Sequence, residues 1–123
     1  MTNKPSVEVV ATPHFARVIK RLRKKYAHIQ DDLTPLITAL QSGETLGDQI
    51  QGVGVPIFKV RVPNRDSQSG KSGGYRVIYY LKTKTFVFLI DIYTKTERQD
   101  ISAAEIKSLL DELRTEDDDN PET

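Results

Sequence analysis

Four cations and one phenol stand at spacings suited to a polyanionic substrate. Side chains alternate across a strand. In the alternating stretch Ile57 to Val62, Lys59 and Arg61 therefore share one face, and Phe58, Val60 and Val62 the other. In Tyr75 to Leu81, Arg76, Ile78 and Tyr80 oppose Val77, Tyr79 and Leu81. In Phe86 to Tyr93, the set Phe86, Phe88, Ile90 and Ile92 opposes Val87, Leu89, Asp91 and Tyr93. With the apolar sets turned toward helices, the remaining face gathers Lys59, Arg61, Arg76 and Tyr93, with Lys95 just past the last strand. Such a face suits phosphodiester chemistry. Arginine grips two oxygens of a phosphate at once, and lysine offers a point charge. A lysine among other cations gives up its proton more easily and can then act as a base. Tyrosine can stack on an unpaired base.

Other candidates are weaker. The loop Ser69-Gly70-Lys71-Ser72-Gly73-Gly74 brings Lys71 within reach of substrate phosphates, but it is no nucleotide-binding P-loop. Arg65 stands where the first glycine would be, and a strand follows where a helix should. His14 and His28 lie at a helix start and just after that helix, without partners at catalytic spacing, and are expected on the surface. No His, Asp and Glu grouping suggests a metal, so none is expected, nor any cofactor. Asp91 either orients one of the cations or sits in a structural ion pair.

The elements that must hold these residues are legible from periodicity. Val7 to Ala11 alternates as a short strand. Thr12 and Pro13 are suited to the cap and first position of a helix. Phe15, Val18, Ile19, Leu22 and Tyr26 make its apolar stripe, and Arg17, Lys20, Arg21, Arg23, Lys24 and Lys25 its basic face. That face is a second candidate surface for RNA or an acidic partner. Asp31 and Asp32 precede a second helix, striped by Leu33, Leu36, Ile37 and Leu40, with Pro35 in its first turn and Gly43 as its stop. Residues 44–56 read as an irregular connection. Two of the three following strands form a hairpin around Lys82–Thr85. Ser102 and Glu105 make a capping box for a last helix striped by Ile106, Leu109, Leu110 and Leu113. The fold expected is α+β: a mostly antiparallel sheet of about four strands, a helical hairpin on one face, and a C-terminal helix.

Composition bounds the rest. The 123 residues suit one domain, placed at 1–114, with an acidic tail at 115–123 expected to be disordered. The absence of cysteine excludes disulfides, thiolate metal sites and cysteine nucleophiles. No signal peptide or membrane-spanning run is visible, and a cytoplasmic location is expected. The net charge of +1 hides an asymmetry. Residues 1–110 carry 17 Lys and Arg against 10 Asp and Glu, whereas 111–123 carry one Arg against 7 Asp and Glu. A basic body favours a polyanionic partner.

Three stretches together resemble the RelE/ParE toxin superfamily, most nearly its HigB-like branch: Ile57-Phe58-Lys59-Val60-Arg61, Gly70-Lys71-Ser72-Gly73-Gly74-Tyr75-Arg76-Val77-Ile78-Tyr79-Tyr80, and Ile92-Tyr93-Thr94-Lys95-Thr96-Glu97-Arg98. The resemblance covers roughly residues 8–113. It implies a RelE-like fold and a toxin that cleaves mRNA on the translating ribosome without a metal, by attack of the 2′-hydroxyl on the adjacent phosphate. It also implies a cognate antitoxin as protein partner. By position, Lys59 and Arg61 match a basic strand pair of the RelE site, Arg76 the arginine on the scissile phosphate, and Lys95 a basic residue after the last strand. Thr96 stands where RelE has an arginine proposed as general acid, and Ser102 near its catalytic tyrosine; Lys71, Tyr93 or Lys95 would take up that work. Two alternatives stay open: a ParE-like inhibitor of DNA gyrase that cleaves nothing, and an inactive module that only binds antitoxin.

Overall fold

A computed structural model describes residues 6–66 and 74–118, with side chains through Leu113. In chain order the elements are β1 (Glu8–Ala11), α1 (Pro13–Arg23), α2 (Ile29–Gln41), β2 (Asp48–Gln49), β3 (Ile57–Val62), β4 (Tyr75–Thr83), β5 (Phe86–Thr94) and α3 (Ala103–Asp118). They form one five-stranded sheet in the order β1-β5-β4-β3-β2. The sheet is mixed, because β1 runs parallel to β5 while the other neighbours are antiparallel. The count exceeds the expected four by β2, whose two residues are too few to show alternation.

The helical hairpin covers one face. Thr12 starts α1 as expected: its Oγ1 accepts from the Phe15 N–H at 3.2 Å and donates to the Leu89 carbonyl at 2.9 Å. The same hydroxyl thus begins the helix and ties it to β5. Phe15, Val18 and Leu22 of α1 and Leu33, Leu36 and Leu40 of α2 pack on Val62, Tyr75, Val77, Tyr79, Val87, Leu89 and Ile92. The second helix begins earlier than expected, at Ile29, so that Asp31 and Asp32 fill its first turn where the helix dipole favours them. Pro35 consequently lies inside the helix rather than in its first turn, and removes the bond its N–H would make to the Asp31 carbonyl.

The other face is covered in part by α3. Ile106 is fully buried, with Leu109, Leu110 and Leu113 along the same stripe, against Ile78, Phe88 and Ile90. The capping box forms: Ser102 Oγ accepts from Glu105 N, and Glu105 Oε1 accepts from Ser102 N, each at 3.1 Å. The helix runs to Asp118, so the backbone of 115–118 is helical where the sequence reading places a disordered tail. Residues 119–123 lie outside the described residues.

One irregularity sets the faces of β5. The ladder pairs Tyr79 with Leu89 and Ile78 with Asp91, leaving Ile90 as an extra residue. Such a bulge reverses the alternation beyond it. Phe86, Phe88 and Ile90 therefore face α3, whereas Ile92 faces the hairpin with Val87 and Leu89. Strict alternation had grouped Ile92 with Phe86, Phe88 and Ile90, and Tyr93 with Val87 and Leu89. The bulge separates both groups and puts Tyr93 on the α3 side.

Candidate active site

Register places three of the sequence candidates in one row. Arg61 pairs with Arg76 across β3 and β4, and Arg76 pairs with Tyr93 across β4 and β5. With strands about 4.8 Å apart, the row spans about 10 Å. The neighbouring row holds Lys59, Ile78 and Asp91. Exposure falls along the first row: Arg61 is exposed, Arg76 half-buried, and Tyr93 only 2% exposed. The site therefore opens at β3 and closes toward β5 and the start of α3. Gly74 lets β4 enter the sheet beside Arg61. Its φ is +104°, and a Cβ there would lie 2.7 Å from the Val62 carbonyl oxygen.

Arg76 is the unusual member. Its Nη1 is buried, yet it has no hydrogen-bond partner among the described residues. Leaving a buried donor unsatisfied costs about 1–3 kcal/mol, and more for a charged group. A second cost adds to it, because like charges directly opposite each other on neighbouring strands destabilise a sheet. An anion bound over the row would relieve both.

Acidic side chains frame the cations on the α3 side. Lys59 Nζ lies 3.1 Å from Asp100 Oδ1. Tyr93 donates its hydroxyl to the same oxygen at 3.4 Å. Arg98 lies 5.4 Å from the centre of the Tyr93 ring, donates to the Asp100 carbonyl at 3.2 Å, and forms an ion pair with Glu105. Burial, reinforced by the Asp100 carboxylate, pushes the Tyr93 phenol up to about 12. It is a hydrogen-bond donor at neutral pH, not a base. Its ring is buried and carries Arg98, so it offers no open platform for the base stacking that the sequence suggested. The Ile101 N–H, and next Lys59, hold the Asp100 carboxyl below the usual range, and Arg98 does the same for Glu105.

The remaining candidates are dispersed. Lys95 is exposed in the turn after β5. Lys71 lies outside the described residues. His14 is not a bare surface residue: its Nε2 lies 3.0 Å from Oδ1 of Asp91, which is 5% exposed. Asp91 thus takes the structural pairing of the two roles the sequence left open. His28 meets a carboxylate too, with Nδ1 2.8 Å from Asp66 Oδ1. The basic face of α1 stays exposed, but Arg21 reaches Glu97 in the turn after β5 at 3.0 Å. Among the described residues no group of three or more His, Asp or Glu could hold a metal ion.

The fold is shared with a known protein family. The family model for the RelE toxin of the RelE/RelB toxin–antitoxin system matches residues 9–115. The chain belongs to the RelE toxin family. A solved structure of the E. coli toxin RelE, a double arginine-to-alanine mutant in the free state, has the same fold, with a TM-score of 0.51. It is 20% identical, and the match covers 88% of this chain and 97% of that one. For a RelE-family toxin, the geometry adds residues that sequence reading passed over. Arg98 and Asp100 belong to no strand, so no alternation rule could place them. The spacing of Arg98 and Glu105 is the one available hint, since the start of a capped helix can fold back over the strand before it.

Proposed function

We propose that this chain is a ribosome-dependent mRNA endonuclease of a toxin–antitoxin pair, acting in the cytoplasm and held inactive by a cognate antitoxin. Its place within the superfamily is the HigB-like branch, as the GKSGGYRVIYY and IYTKTE stretches suggest. The observation that carries the reading is Arg76, a guanidinium whose buried Nη1 has no partner among the described residues, flanked by Arg61 and Tyr93. A group so placed suits an anion brought in by a ligand. A protein-binding inhibitor has no use for it.

In this reading the 2′-hydroxyl of one nucleotide attacks its own 3′-phosphate, forming a cyclic phosphate and expelling the 5′-oxygen of the next nucleotide. No metal or cofactor takes part. Arg76 grips the non-bridging oxygens as charge builds on them. Arg61, at the open end of the row, meets the adjoining backbone. Lys59 supplies charge at the reacting phosphate. Lys71 and Lys95 are the further cations within the family pattern, for substrate contact and proton transfer respectively. Tyr93 supports the cluster from beneath.

The test is induction in a bacterial host with primer extension on translated messages. New 5′ ends within reading frames are expected from the wild-type chain. Arg76→Ala should abolish both the ends and the growth arrest while keeping a native circular dichroism spectrum. Growth arrest with an SOS response and intact messages would point to gyrase instead. A folded Arg76→Ala chain that remains fully toxic would remove the phosphate clamp.

A further inference from the structure

An aspartate in the midst of cations meant for phosphate needs a reason. Asp100 Oδ1 accepts three bonds: from the Ile101 N–H at 2.8 Å, from Lys59 Nζ at 3.1 Å, and from the Tyr93 hydroxyl at 3.4 Å. Its donors come from β3, β5 and the residue leading into α3. The backbone is also held, because the Asp100 carbonyl accepts from Arg98 Nε at 3.2 Å. The carboxylate is itself 64% exposed, while Lys59 is 34% exposed, so a phosphate can reach the pair from solvent.

We propose that Asp100 is a positioning residue, which aims the Lys59 ammonium at the reacting phosphate at the expense of RNA affinity. The inference rests on the nuclease reading above. A lysine on a four-carbon stem samples many rotamers, and one fixed carboxylate selects among them. The carboxylate stays ionised at neutral pH because the Ile101 N–H and Lys59 both favour its charged form. The same negative charge opposes the RNA backbone, so removal of the charge has two effects of opposite sign. Binding improves, and the bound phosphate reacts more slowly. A role confined to stability would not separate the two.

The experiment uses the full chain on programmed ribosomes, with single-turnover cleavage measured over a range of enzyme concentrations. Asp100→Asn is the informative variant, since its amide oxygen still accepts from Ile101 and the start of α3 is preserved. The maximal rate should fall about tenfold, within the range that loss of orientation produces. The half-saturating concentration at low salt should fall about fivefold, the size set by one unit charge some 4 Å from a phosphate in water. Asp100→Glu returns the charge and should recover part of the rate. In a Lys59→Met background, Asp100→Asn should change the rate by less than about twofold, because the two residues act as one unit. Equal weakening of rate and affinity, or a full tenfold loss in the Lys59→Met background, would overturn the inference. A wild-type chain that leaves the message intact removes the nuclease reading and this inference together. A wild-type chain that cleaves, an Arg76→Ala chain that does not, and an unchanged Asp100→Asn remove the inference alone.

Discussion

Replacing Arg76 with methionine should raise stability and abolish most activity at once. Methionine keeps an unbranched stem of similar length, so the contacts of the arginine's aliphatic part with its strand neighbours largely remain. What is lost is a guanidinium whose Nη1 is buried without a partner among the described residues. Removing such a group recovers about 1–3 kcal/mol. Relief of the like-charge pairing with Arg61 adds a few tenths to about 1 kcal/mol. For a chain of this size, 1 kcal/mol corresponds to a Tm change of about 3–5 °C. The variant should therefore melt at least about 3 °C higher than wild type in differential scanning calorimetry. Cleavage moves the other way. Charge-assisted hydrogen bonds contribute about 1.5–3 kcal/mol each, which is roughly 10- to 150-fold in rate. Single-turnover cleavage on programmed ribosomes measures this directly. A variant that melts several degrees lower would show that the guanidinium stabilises the fold through bonds of its own. Cleavage within threefold of wild type would show that no phosphate rests there.

Two further predictions address the fold. The Tyr75 hydroxyl is buried without a partner among the described residues, while its ring stands edge-on to Tyr26 at 5.8 Å. Tyr75→Phe keeps the ring contact and should stabilise by about 1 kcal/mol. It should appear as a higher urea midpoint at unchanged slope, and a loss of that size would mean the hydroxyl is bonded after all. Stability should also fall in acid. Asp66, Asp100 and Glu105 are held below their ordinary values of 3.8, 3.8 and 4.5, the first chiefly by the His28 ring. A depressed carboxylate contributes fully above its unfolded value and loses that contribution as pH falls through its folded one. Urea midpoints should therefore be flat for these groups above about pH 5.5 and decline below about pH 4.5. A midpoint that rises on acidification would contradict the pairings.

Much of the fold was legible because its signals are local. Thr12 and Pro13 mark a helix start whatever surrounds them, and so do Ser102 and Glu105. Alternation in β3 and β4 sorts Lys59, Arg61 and Arg76 from Val60, Val62 and Val77 without help from tertiary structure. The misses in β1 and β5 share one cause, dependence on partners elsewhere in the chain. The bulge at Ile90 is invisible to an alternation rule, because it exists only relative to the register with Ile78 and Tyr79. The parallel pairing of β1 with β5 joins Val9 to Val87, across most of the chain. His14 finds Asp91 through that same long-range arrangement. At the site, strand residues could be placed on a face from sequence. Asp100 and Arg98 lie in the connection to α3, where no period applies.

The basic row is itself an argument for function over stability. A sheet built for stability alone would not bury an arginine nitrogen beside a phenol with no acceptor among the described residues. Nearby carboxylates could have neutralised it, and several do neutralise neighbouring cations. Asp100 takes Lys59, Glu105 takes Arg98 and Glu97 takes Arg21. Among the described residues Arg76 is the cation that combines burial with an unmet donor. Where a buried donor finds no acceptor among the described residues, the compensation is expected from a ligand. A polyanion whose charge grows during reaction is the ligand that relieves this conflict most in the transition state, and that preference is what catalysis requires. Inorganic sulfate or phosphate should therefore protect the wild-type chain against thermal unfolding more than it protects Arg76→Met. Equal protection of the two would place the anion elsewhere.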